Sequence, residues 1–140
     1  MATKTFTLNK TERLKSRKAI QALFTAGKSF SLFPFKVVYT VMPLAEEVPF
    51  TGLQAAFTVG KKYFKRANAR NKVRRQMKEA YRLQKLALQQ QVAQQQVNVH
   101  VFIVYLGNEL PVYSEIYERM GLLLKRLQKN LHETKTIERH

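Results

Sequence analysis

The chain has 140 residues and a formal net charge of +16, from 25 Lys and Arg against nine acids. That length suits one domain, and a hydrophobic content of 45% supplies a core and is too high for a disordered chain. With no Cys and no Asp, disulfide staples, thiolate zinc sites and Cys nucleophiles are excluded, a self-sufficient metal nuclease is disfavoured, and the charge favours a polyanionic partner.

In chain order, the opening MATKTFTLNKTERLK lacks the apolar stretch of a signal peptide, and no later run is long enough to cross a bilayer, so the expected location is the cytoplasm. Ser16 can cap a short helix carrying Ile20, Leu23 and Phe24 on one face, with Gly27 to stop it. Lys28–Phe33 reads as a short edge strand before Pro34. In the strand that follows, Phe35, Val37, Tyr39 and Val41 share one face, and Lys36, Val38 and Thr40 the other. A loop over 43–52 leads into a strand Leu53–Gly60, and the expectation is that these two strands pair antiparallel across it.

From Asn68 the period becomes helical. Val73, Met77, Ala80, Tyr81, Gln84 and Leu88 form one stripe, and Asn71, Arg74, Arg75, Lys78, Arg82 and Lys85 a neighbouring basic one. Gln89–Gln96 contains six Gln and reads as a fraying or looped tract. Val97–Leu106 is nearly all apolar, as a central strand buried on both faces requires. After a turn over 107–111, Ser114 can cap a last helix with Ile116, Met120, Leu123, Leu124, Leu127 and Leu131 on its buried stripe, and 132–140 reads as a loose end. The expectation is one domain over 1–140, ordered from about 8 to 131, built as an α+β layered sandwich.

Charge is concentrated rather than spread. Residues 61–85 hold eleven Lys or Arg and one acid, and residues 4–28 hold seven basic residues and one acid. A solvated helix face ordinarily mixes signs so that i,i+4 pairs help it, whereas this pattern repels itself. The segment Lys61-Lys62-Tyr63-Phe64-Lys65-Arg66 and its continuation Arg70-Asn71-Lys72-Val73-Arg74-Arg75 run from a strand end through a basic loop into a helix start. A helix start offers free N–H groups and a positive dipole end, both suited to phosphate, and Arg matches phosphate bidentately. Asn71 either bonds a base, a ribose hydroxyl or a phosphate, or is a first-turn cap or solvent contact. Neither a Ser/His/Asp set nor a P-loop spacing is present, and His100, within an apolar strand, reads as structural.

Arg70-Asn71-Lys72-Val73-Arg74-Arg75, followed by Glu79, Tyr81 and Arg82, resembles the RNR signature of the bacterial ribonuclease P protein family. Arg13-Leu14-Lys15, Phe24 and Gly27 match that family's opening helix, and Phe57-Thr58-Val59-Gly60-Lys61-Lys62 its strand before the basic loop. The likeness spans about 13–131. Lys72 stands where the family usually has Arg, which keeps the charge and loses the fork, and Ile20 stands where an aromatic residue is common.

The resemblance implies an αβββαβα fold with a left-handed βαβ crossover, against the usual right-handed rule. It also implies a partner, the catalytic RNA subunit, which carries out magnesium-dependent removal of the 5′ leader of precursor tRNA. The protein then has no catalytic residue, binds no metal alone and is monomeric when free. RNA contact is implied for Lys61, Lys62, Lys65, Arg66, Arg70, Asn71, Lys72, Arg74, Arg75, Lys78 and Arg82. A leader cleft is implied between the first helix and the sheet, with Arg13, Lys15, Lys18, Phe24, Lys36 and Tyr39, where bases would stack on exposed rings. Phe35 and Phe57 are further candidates, Tyr63 and Phe64 could add stacking in the loop, and the alternative for each ring is a core position. Two rivals stand beside this reading: a basic ribosomal protein or RNA chaperone of related fold, and a protein-only nuclease using Glu79 or Glu12 with histidine.

Overall fold

The computed structural model describes residues 10–44 and 50–138. A 3-10 turn, Lys10–Glu12, precedes helix α1 (Arg17–Ala26), strands β1 (Lys28–Leu32), β2 (Phe35–Pro43) and β3 (Leu53–Val59), helices α2 (Ala67–Gln84) and α3 (Leu86–Gln95), strand β4 (Val97–Tyr105) and helix α4 (Tyr113–Glu138). The expected ends of α1 are both present. Ser16 Oγ accepts the Ala19 N–H at 3.2 Å, and the Gly27 N–H closes the last turn on the Leu23 carbonyl at 2.7 Å. Gly27 is required by close approach, since a Cβ there would lie 2.3 Å from the Leu23 carbonyl oxygen.

The sheet order is β1-β2-β4-β3. β4 is central as expected, antiparallel to β2 and parallel to β3. The expected β2–β3 hairpin pair is therefore corrected, because β4 lies between them. The near-continuous apolar run of β4 gains most from flanks on both sides, so it takes the middle and leaves β3 at the edge. Residues 10–14 lie along the outer side of β3, where Arg13 bridges Ala55 and the Leu14 N–H donates to the Ala55 carbonyl at 2.9 Å. Just before β3, Asn98 Oδ1 accepts the Thr51 and Gly52 N–H groups at 2.8 and 2.9 Å.

Alternation sorts the strands onto two faces. The larger core joins Phe35, Val37, Tyr39, Phe57, Val101 and Ile103 to α2, α3 and α4, while Val38, Ala56 and Phe102 meet Leu14 and Leu23 on the α1 side. The stripes read for α2 and α4 are buried as expected, from Val73 to Tyr81 and from Ile116 to Leu131. Gln84 spans the two helices: its amide donates to the Tyr117 carbonyl at 2.8 Å, and a Cβ at Gly121 would lie 2.5 Å from its Oε1.

The Gln-rich tract is helical rather than looped. Leu88 and Val92 recur at i,i+4 and are buried, Gln is a good helix former, and Gln96 ends the helix in the left-handed region at φ 55°. Ser114 lies inside the first turn of α4 rather than capping it, and that helix runs on to Glu138 with no Gly or Pro to stop it at 131. Residues 139–140 and the expected start of order near residue 8 fall outside the described residues.

Candidate nucleic-acid interface

The basic loop between β3 and α2 is held from beneath. Phe64 is buried, its ring centroid 6.0 Å from that of Tyr105, which makes it an anchor and corrects the expectation of a stacking ring. Lys61, Lys62, Tyr63, Lys65 and Arg66 are exposed around it, with Lys62 Nζ 5.2 Å from the Tyr63 ring centroid. Arg70 Nη1 donates to the Phe64 and Lys65 carbonyls, both at 2.8 Å, so this cation shapes the loop as well as adding charge. The first turn of α2 contains no acid, and Arg66 makes no side-chain capping bond. The helix start therefore keeps the positive end of its dipole with no cap from the Arg66 side chain.

One turn further on, Asn68, Asn71, Arg74, Arg75 and Lys78 line an open depression of about 410 Å³. Asn71 Oδ1 accepts from Arg74 Nη1 at 3.3 Å, which answers the Asn71 question in part: it steadies an arginine fork. Arg74 Nε is buried with no acceptor. Lys78 is held below its ordinary pKa, first by burial and then by repulsion from Arg13 and Arg74. None of the described acids pairs with Lys72, Arg74, Arg75 or Lys78. Such a cluster costs self-repulsion and gains only when an anion enters it.

The same helix ends differently. Arg82 Nη2 lies 2.6 Å from Glu79 Oε1, and the shared hydrogen bond raises the guanidinium pKa and lowers that of the carboxylate. Lys85 is 1% exposed and donates to Glu12. Lys85 thus leaves the basic stripe on which the periodicity put it. The two acids considered for a protein-only nuclease, Glu79 and Glu12, are each engaged by a cation.

The residues expected to form a leader cleft do not all lie on one face. Arg13, Lys15, Lys18 and Lys36 are exposed. Phe24 is 55% exposed and packs edge-on to Phe102, centroids 5.0 Å apart. Tyr39 is corrected: it is 4% exposed and belongs to the core on the opposite face, against Phe30. Phe35 and Phe57 are core residues as well. Even-numbered positions of β2 and β4 face α1, so the ring that accompanies Phe24 is Phe102, paired in register with Val38. Sequence parity holds that signal, but using it needs the β2–β4 pairing. Nearby, Arg13, Lys15, Ser16, Gln54 and His100 line a second depression of about 350 Å³, where burial holds the His100 imidazole below its ordinary pKa.

A mixed sheet flanked by helices, with cations that no described acid pairs lining a depression near a helix start, has the geometry of a domain that binds a polyanion such as RNA. Among the described residues no group of three or more His and Glu is placed to hold a metal ion, and no helix is long and apolar enough to cross a membrane. The family model described as Ribonuclease P matches residues 8–128. The chain is similar to the ribonuclease P protein component of Porphyromonas gingivalis, 35% identical over 127 residues, which cover 91% of this chain and 90% of that one. It is also similar to the ribonuclease P protein component of Chlorobium phaeobacteroides, 30% identical over 131 residues, covering 89% and 87%. The fold is similar to a solved structure of Staphylococcus aureus RNase P protein, with TM-score 0.62, 18% identity and coverage of 83% and 94%. The chain belongs to the ribonuclease P protein family. Its role is in maturation of the tRNA 5′ end, as the protein component of the ribonuclease P holoenzyme, with the RNA subunit as partner.

Proposed function

We propose that the chain breaks no bond itself: the RNA subunit hydrolyses precursor tRNA with magnesium held mainly by RNA, and the protein supplies two binding surfaces as a monomer in the cytoplasm. The absence of Asp and the engagement of Glu12 and Glu79 by cations support assigning the metal to the RNA. Magnesium there would polarise the scissile phosphate and stabilise the leaving oxygen. This chain's residues bind and orient.

The single observation that carries the reading is the uncompensated first half of α2. Arg70, Asn71, Lys72, Arg74, Arg75 and Lys78, with Lys61, Lys62, Lys65 and Arg66 of the loop, neutralise phosphates of the RNA subunit, and Arg82 adds a weaker contact because Glu79 already occupies it. On the other face, Phe24 offers a ring to a leader base while Arg13, Lys15, Lys18 and Lys36 guide the leader backbone. Tyr39 has no part in that contact.

Precursor tRNA cleavage by the protein alone, the RNA subunit alone and both together, at low magnesium, tests the reading. Strong cleavage is expected only from the mixture, with the RNA alone recovering at high magnesium. Cleavage by the protein alone would overturn it.

A further inference from the structure

The two proposed RNA surfaces lie on different elements, and the segment between them is tied down by a buried carboxylate. Glu12 is 8% exposed and accepts from Lys85 Nζ and Gln89 Nε2. Lys85 stands at the junction where α2 ends and α3 begins. The next residue after Glu12 is Arg13, which reaches both surfaces: it lines the depression beside α1 and repels Lys78 on the basic face of α2. Two further bonds hold the same stretch on β3, from Gln54 Nε2 to the Thr11 carbonyl at 2.8 Å and from the Leu14 N–H to the Ala55 carbonyl.

A buried ion pair adds little net stability compared with an apolar pair, because desolvation offsets the attraction. Its distinctive property is that it fixes one register between two parts of a fold. Without it, the bonds to β3 alone would oppose the repulsion between Arg13 and Lys78. We propose that Glu12 is a positioning residue: by holding Lys85 and Gln89 it keeps Arg13 and Lys15 at a fixed place relative to the RNA-bound helix, so that the leader meets them already ordered. This rests on the two-surface reading above.

A segment ordered for only a fraction of the time weakens binding by that fraction, so release to about one-tenth occupancy raises KM about tenfold. The holoenzyme reconstituted with Glu12→Ala/Lys85→Met, which leaves no buried charge alone, tests this. Its affinity for the RNA subunit should equal wild type, and kcat should be unchanged. KM should rise about tenfold for precursors with a leader of several nucleotides and not for those with one nucleotide. Amide exchange over residues 10–15 should quicken. The amide pair Glu12→Gln/Lys85→Gln, which can still hydrogen-bond, should restore most of the loss.

An equal KM change for both substrates, or a fall in RNA-subunit affinity alongside it, would show a merely structural role and overturn the proposal. If the first variant does not fold, Glu12→Asp keeps the charge and shortens the reach; a leader-dependent rise in KM supports the proposal and none overturns it. A wild-type holoenzyme whose KM ignores leader length overturns the cleft reading together with this one. Leader dependence in wild type that survives in every variant overturns this proposal alone.

Discussion

From Asn68 to Lys78, α2 presents Lys72, Arg74, Arg75 and Lys78 with no described acid paired to them, whereas from Glu79 to Lys85 the cations Arg82 and Lys85 are held by Glu79 and Glu12. The first half has exposed or half-buried cations around an open depression; the second has one surface pair and one buried pair. The first stretch carries five Lys or Arg in eleven residues and no acid, the second two in seven with Glu79 among them. Beyond that difference in density, what separates them is one carboxylate from within the helix and one from outside it. On the proposed reading, a basic stretch serves as an interface only where the fold brings it no acid.

The sharpest way to break this comparison is at the buried end. Lys85→Met leaves Glu12 buried without its cation and should cost about 3–5 kcal/mol of folding stability, read by urea denaturation. Arg75→Ala, on an exposed and unpaired position, should leave the denaturation midpoint at wild type or slightly above it. Equal midpoints for the two variants would mean that the pairing does not distinguish the halves.

A second contrast separates ring from ring. Tyr39→Ala empties a core position and should lose roughly 3 kcal/mol or more of stability. Phe24→Ala, already more than half exposed, should fold normally and weaken leader-bearing substrate by about 1–3 kcal/mol. Thermal melts beside KM values at two leader lengths check both. A stable Tyr39→Ala with leader-dependent weakening would return Tyr39 to the cleft.

The smallest expected effect concerns pH. Burial holds His100 below its ordinary 6.5, so the unfolded chain takes up the proton first. The contribution of this residue to stability is complete above about pH 6.5, declines as the pH falls below it, and levels off once the folded imidazole also titrates. Melting temperatures between pH 7.5 and 5 should show a drop in wild type that His100→Gln reduces. An unchanged drop in the variant would place the titration elsewhere.

Much of this was legible in the sequence, because helical stripes and strand alternation report burial directly. The stripe from Ile116 to Leu131, the Ser16 cap and the central place of β4 follow from residue order and period. What failed was whatever depends on a partner distant in the chain. Alternation shows that Phe35, Val37 and Tyr39 share a face, but not that α2 and α4 cover it while α1 takes the other, so by itself it does not place Tyr39 in the core. Adjacency in sequence favoured pairing β2 with β3, and the stronger apolar run of β4 displaced β3. Lys85 sits at basic-stripe spacing, and only the position of Glu12 reveals that it is buried. Composition made the Gln tract resemble a loop, although Leu88 and Val92 already stood at helical spacing.

The central claim is that the uncompensated half of α2 holds the RNA subunit. The salt dependence of RNA-subunit affinity tests it most directly, with wild type compared against the triple variant Arg74→Ala/Arg75→Ala/Lys78→Ala and against Arg82→Ala. Each lost phosphate contact flattens the plot of log affinity against log salt by roughly 0.7–0.9, so the triple variant should reduce the slope by about two to three while Arg82→Ala changes it by less than one. A triple variant with the wild-type slope, or an Arg82→Ala variant that loses as much as the triple, would contradict the account.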